Sequence, residues 1–193
     1  MKKIAVDDLQ SNEAYNAQRP AFRKAMIEHK NNRRVQLGPN ATVHFEDYMT
    51  MRYQVQELMR AEHISNVDEI REELEAYNPL IPDGENLKAT FMIEYPDESE
   101  RREQLARLIG IEHKISVVID GQDPVYPIAN EDLERSTDEK TSSVHFLRFE
   151  FPRQAIQAAK GGAPWTLRCE HENYSHETLL PDNVRASLVK DFD

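Results

Sequence analysis

With 193 residues, of which 39% are apolar and 31% charged, the chain has the composition of one folded globular domain spanning residues 1–193 and not of a disordered segment. Thirty-five acidic against 24 basic residues give a formal charge of -11, a field that repels phosphate backbones and anionic lipid, so neither nucleic acid nor membrane is an expected partner. The single cysteine, Cys169, excludes an intrachain disulfide and any CxxC ligand pair; the apolar run at residues 4–6 is cut by Asp7 and Asp8, and no stretch approaches the roughly twenty apolar residues of a membrane span, which makes the cytoplasm the expected compartment.

Asp7 or Asp8 can cap a first helix whose partial apolar stripe, Tyr15, Phe22 and Met26, runs to about Lys30, with Pro20 predicting a split or kink. The basic run Lys30, Arg33, Arg34 then reads as neutralising that helix's C-terminal dipole. Residues 35–37 and 42–46, joined by Gly38, Pro39 and Asn40, predict a hairpin with Thr42, His44 and Glu46 on one face and Val43 and Phe45 on the other. A helix over residues 47–63 turns Met51, Val55 and Leu58 inward and carries Tyr53, Glu57 and Arg60 on its polar side. Asn66 with Glu69 has capping-box spacing for a further helix that ends near Tyr77, and NPLIPDGEN follows as an ordered turn.

Residues 87–95 alternate cleanly, with Leu87, Ala89, Phe91, Ile93 and Tyr95 on one face and Lys88, Thr90, Met92 and Glu94 on the other. A helix from Asp97 to Gly110 follows, then a second hairpin, residues 115–119 and 125–128, around Asp120 and Gly121. A short acidic helical patch at 131–135 and the loop TDEKTSS precede a strand at 143–151 with His145, Leu147 and Phe149 on one side and Arg148 and Glu150 on the other. A helix opened by Pro152 and closed by Gly161 and Gly162, two strands at 165–170 and 176–180, and a short helix after Pro181 complete an α+β chain with an antiparallel or mixed sheet flanked by helices.

No GxGxxG, Walker loop, GxSxG elbow or HExxH is present, so the familiar cofactor and hydrolase classes lose their support. Cys169, His171 and His176 fall across a strand pair and read either as a three-ligand transition-metal site or as a buried thiol beside two surface histidines. Tyr53, Glu57 and Arg60 lie in line on one helix face; facing Glu94, His145 and Arg148 they would form a charged pocket, with Glu57 or Glu94 as general base and His145 as proton donor or metal ligand. A solvated helix face with an ordinary ion pair is the competing reading. Asn78, Pro79, Asp83 and Gly84 form a polar turn cluster of structural character.

The blocks RRVQLGPNATVHFED, YQVQELMRAE, EELEAYNPLIPDGENLKATFMIEYPD, RLIGIE and EKTSSVHFLRFE resemble those of a bacterial family of about this length known as a domain of unknown function, and the likeness spans residues 3–188. Glu57, Arg60, Glu62, Asn78, Asp83, Glu94, His145, Arg148 and Glu150 stand in the matching blocks. The resemblance implies a gene neighbourhood of rubrerythrin-like and iron–sulfur oxidoreductase proteins, and so a cytoplasmic accessory or binding protein for a redox or iron-containing partner in oxidative-stress or electron-transfer metabolism. An enzyme with an acid–base or metal pocket of Glu57, Arg60, Glu94 and His145, with a transition metal as cofactor held by His145 or His171, is the second reading. A structural homo-oligomer is the third.

Overall fold

The computed structural model describes residues 2–193 and is α+β throughout. Its helices are α1 (Asn12–Asn31), α2 (Tyr48–Ala61), α3 (Val67–Tyr77), α4 (Glu98–Arg107), α5 (Arg153–Lys160) and α6 (Asp182–Leu188). Its strands are β1 (Arg34–Gln36), β2 (Ala41–Glu46), β3 (Asn86–Ile93), β4 (Ile115–Ile119), β5 (Ile128–Ala129), β6 (Val144–Glu150), β7 (Trp165–His171) and β8 (Tyr174–Leu179). They form a five-stranded sheet in the order β1-β2-β3-β6-β5 and a three-stranded sheet β4-β7-β8, with every neighbouring pair antiparallel.

Period-two alternation decides the layers. Val43 and Phe45, Ala89 and Phe91, and Leu147 and Phe149 point inward from the larger sheet; Val117, Leu167 and Cys169 point inward from the smaller one. With Leu108, Ala155, Val184 and Leu188 from the helices they build one apolar core. A second apolar cluster, Met51, Val55, Met59, Ile70, Leu74 and Ile81 with Ile4, joins α2, α3 and the N-terminal segment. The opposite face of the large sheet keeps its polar residues: the register aligns His44, Thr90 and Phe146 in one row and Glu46, Lys88 and Arg148 in the next.

Several expectations are corrected. The first helix starts at Asn12, because Ser11 Oγ accepts the Ala14 amide, while Asp8 is spent on the Ala5 amide and Lys2 in a separate 3-10 turn. Pro20 does not break α1; Pro20 and Asn16, whose carbonyl loses its partner, both lie at the solvent-exposed surface. The hairpin expected after Gly121 shrinks to one bridge, Val117 with Val125, and residues 128–129 leave for the other sheet, since Pro124 and Pro127 offer no amide to a ladder. Residues 131–135 form no helix: Leu133 stays 55% exposed, with no apolar face to dock, and Glu131 and Asp132 bind Arg148 and Arg135 instead.

Arg33 is no dipole neutraliser. It is 2% exposed, donates to the carbonyls of Phe45 (2.9 Å) and Glu46 (3.0 Å) and to Ser187 Oγ (3.3 Å), and pairs with the buried carboxylate of Asp191 and, at 3.4 Å, with Asp47. It thereby ties the β1–β2 hairpin to the C-terminal segment. Tyr174 ties the two sheets, donating to the Leu37 carbonyl at 2.7 Å and accepting from the Asn40 amide at 2.9 Å.

Candidate functional site

The six residues expected to share a pocket occupy four separate places. Glu57 looks from α2 toward α1, where Arg19 clasps both its oxygens at 2.8 Å and the Tyr15 hydroxyl donates at 2.6 Å. The Arg19 hydrogen bonds, helped by Tyr15 and opposed by partial burial, hold its carboxyl down at about 2. Tyr53 lies beside this pair under Lys30, whose ammonium is 5.7 Å from the ring centroid, and Arg60 has a buried Nε with no partner. Glu94 is at the far end of β3, accepting from Thr42 Oγ1. His145 points into the core from β6, and Arg148 points out of the opposite face.

His145 is fully buried, and both ring nitrogens are occupied. The Ser142 carbonyl, 3.0 Å from Nε2, can only accept, so Nε2 carries the proton. Asn130 has its Oδ1 engaged by the Phe146 amide, which turns its NH2 toward Nδ1 at 2.9 Å. Asn130 reaches this position from a left-handed backbone with φ +54°. Beyond Nε2, hydroxyls run from Thr141 (3.0 Å) to Ser136 (2.9 Å) to Glu112 (2.8 Å), whose second oxygen is buried and unpartnered. Burial pushes the His145 pKa below its ordinary value, with Glu112 opposing. We therefore expect 15N chemical shifts to report a neutral Nε2–H tautomer at pH 6.5; an imidazolium signature there would contradict this hydrogen-bond assignment.

The thiol and histidines of the small sheet also stay apart in function. Cys169 is buried, and that burial pushes its thiol up to about 11, so it packs as a small apolar group. His171 reaches the Ile109 carbonyl through Nε2 (3.1 Å) and accepts the Asn173 amide at Nδ1 (3.2 Å), while the His176 ring packs edge-on against Tyr174. Among the described residues no three His, Cys, Asp or Glu side chains cluster closely enough to hold a metal ion. The Asn78 amide exchanges two hydrogen bonds with the backbone of Ile4, and Asp83 caps its own turn through the Glu85 amide, both structural roles.

A concavity of ligand size lies elsewhere, between the end of α3 with its following turn and the outer face of β3 and β6. It encloses about 510 Å³ and is lined by Ala76, Pro79, Leu80 and Phe146 as its apolar surface, with Lys88, Arg148, Glu75, Glu131 and Asp132 as its charged groups. That volume lies in the range of small-molecule sites. Arg148 is already paired with two carboxylates: Nε and Nη2 clamp the two Glu131 oxygens at 2.7 and 2.6 Å, and Nη1 binds Glu150. Lys88 differs. It is half-buried, directly opposite Arg148 across one strand pair and Glu46 across the other, yet Glu46 takes the Thr90 hydroxyl (2.8 Å), and no described residue lies within hydrogen-bonding or ion-pairing distance of the ammonium. Burial, and then Arg148, lower its pKa, opposed through space by the carboxylates of Glu131, Asp83 and Glu150.

Of the expected pocket residues, only Arg148 lines this groove. Lys88, Leu80 and Phe146 were missed as site residues, although the alternation did place Lys88 on the polar side of its strand.

The sequence model of a family described as "Protein of unknown function (DUF3501)" matches residues 3–192. A comparison with curated proteins finds no match. Among solved structures, the 1.90 Å crystal structure of a novel protein of unknown function from Burkholderia pseudomallei K96243 is similar over 100% of both chains, with 45% sequence identity and a TM-score of 0.94.

Proposed function

The chain belongs to the DUF3501 family of proteins of unknown function, and from its own side chains we propose that it is a binding protein whose working surface is the groove between α3 and the five-stranded sheet. One observation supports this reading above the others: the groove joins an apolar wall of Ala76, Pro79, Leu80 and Phe146 to a single uncommitted cation, Lys88, whereas the ionisable groups once expected to do acid–base chemistry are locked in pairs or far apart. A site that offers apolar area and one polar anchor, with no nucleophile placed against a base, is built to hold a ligand.

The wider role is that of a cytoplasmic accessory to a redox or iron-containing protein, a reading supported by the sequence resemblance and by the dispersal of the chain's own reactive groups. Co-purification of untagged protein with rubrerythrin-like or iron–sulfur proteins from its source cells tests the partner class; a clean preparation lacking them removes it.

The groove itself is tested by filling it. Ala76 is exposed at its mouth, so Ala76→Trp occludes the cavity without entering the core. In a thermal-shift panel of small organic ligands, a compound at a hundredfold its Kd is expected to stabilise the wild type by about 2.7 kcal/mol and to leave Ala76→Trp unmoved. Equal stabilisation of both proteins would place the binding elsewhere.

A further inference from the structure

We propose that the groove selects an organic monocarboxylate with an apolar body, its carboxylate set on the Lys88 ammonium and its hydrocarbon laid along Leu80, Pro79 and Phe146. This deepens the groove reading and rests on it.

The charge inventory of the walls carries the choice. Two cations enter the groove, but the Arg148 guanidinium already binds Glu131 through two bonds and Glu150 through a third, so its charge is matched by two carboxylates before a ligand arrives. Lys88 has three donors and no described acceptor. A half-buried ammonium has given up water without a hydrogen bond in return, and a carboxylate on it supplies a charge-assisted one. Inside the protein Glu131, Asp83 and Glu150 act on it only through space, and Glu46, its cross-strand neighbour, is held by Thr90.

One free cation suits one negative charge. A phosphate dianion would need a second free cation, and it would meet Glu75, Glu131 and Asp132, which also line the groove. The same carboxylates disfavour a ligand with a negative charge at both ends. Hydrocarbon, in contrast, gains by covering Leu80, Pro79 and Phe146 and taking their apolar surface out of water.

Calorimetric titration with octanoate and with its neutral isostere octanamide tests this. Wild-type protein is expected to bind octanoate at least about tenfold more tightly than octanamide, the worth of one charge-assisted hydrogen bond. Lys88→Met is expected to abolish that preference, so that octanoate binds no more tightly than octanamide. The wild-type pair of titrations decides the question even where the variant does not fold. Equal affinity for the two ligands, both lost in Ala76→Trp, overturns the carboxylate assignment and leaves the groove reading standing. Tighter binding of inorganic phosphate than of octanoate, or no octanoate binding at all, also overturns it; in the latter case the groove reading is decided separately by the wider ligand panel.

Discussion

Arg33→Met is expected to destabilise the protein by about 3–5 kcal/mol at pH 8, the cost of leaving a buried carboxylate without its counter-charge. Arg33 is 2% and Asp191 3% exposed, so water cannot take over the role of the lost guanidinium. The carbonyls of Phe45 and Glu46 lose a donor as well. Burial holds the Asp191 carboxyl up at about 6 even with Arg33 pulling it down. A folded pKa above the unfolded value near 3.9 means that protonation favours the fold; that contribution is complete below about pH 4 and is lost as pH rises through about 6. Without Arg33 the carboxyl climbs higher still, so the deficit of the variant should be greatest at pH 8 and shrink steadily toward pH 5. Urea unfolding across that range measures it, and Arg33→Met with Asp191→Asn should recover a large part at pH 8. A deficit below about 1 kcal/mol, or one flat in pH, would show that this pair is not what secures the C-terminal segment.

Gly38→Ala is expected to cost about 3 kcal/mol or more and to lower Tm by about 6–12 °C. Gly38 turns the chain between β1 and β2 at φ +69°, where an L side chain costs about 1–2 kcal/mol by itself. A methyl there would also lie 2.5 Å and 2.6 Å from the His176 ring and 2.7 Å from the Tyr174 hydroxyl. Neither neighbour can easily withdraw. Tyr174 is buried and fixed by its bonds to Leu37 and Asn40, and His176 packs on Tyr174 with ring centroids 4.6 Å apart. The two sheets must part for the methyl to enter. Gly121 is the control, since it has a similar φ of +76° with nothing within 4 Å, so Gly121→Ala should show the backbone cost alone. Equal losses in the two variants would mean that contact between the sheets adds nothing at Gly38.

The alternation of Leu87, Ala89, Phe91 and Ile93 and of His145, Leu147 and Phe149 was enough to place the central strands and their buried faces, because burial repeats with the same period as the side chains. The stripe of Met51 and Val55 placed α2 in the same way, although Met59 and not Leu58 completes it. What these patterns cannot supply is which face meets which. Tyr53, Glu57 and Arg60 do share a helix face, but α1 covers the Glu57 end of it, through an Arg19 that sequence spacing gave no reason to single out. Lys88 sat on the polar side of its strand like any solvent-facing lysine; it became the groove's cation because Leu80 and Phe146, eight and 58 positions away, close around it. Arg33 followed a helix and looked like its terminal charge, and nothing local pointed to an aspartate near the other end of the chain. The hairpin after Gly121 failed for a local reason: its turn signal was sound, but two prolines removed the amides the second strand needed.

The bond between Arg33 and Asp191 spans 158 positions of sequence. A ribosome adding about 5–20 residues per second leaves the β1–β2 hairpin waiting roughly ten to thirty seconds before the carboxylate that completes it has been synthesised. During that interval a cation destined for the interior must remain in water, and the strands beside it cannot settle. The first strands made are therefore among the last to lock.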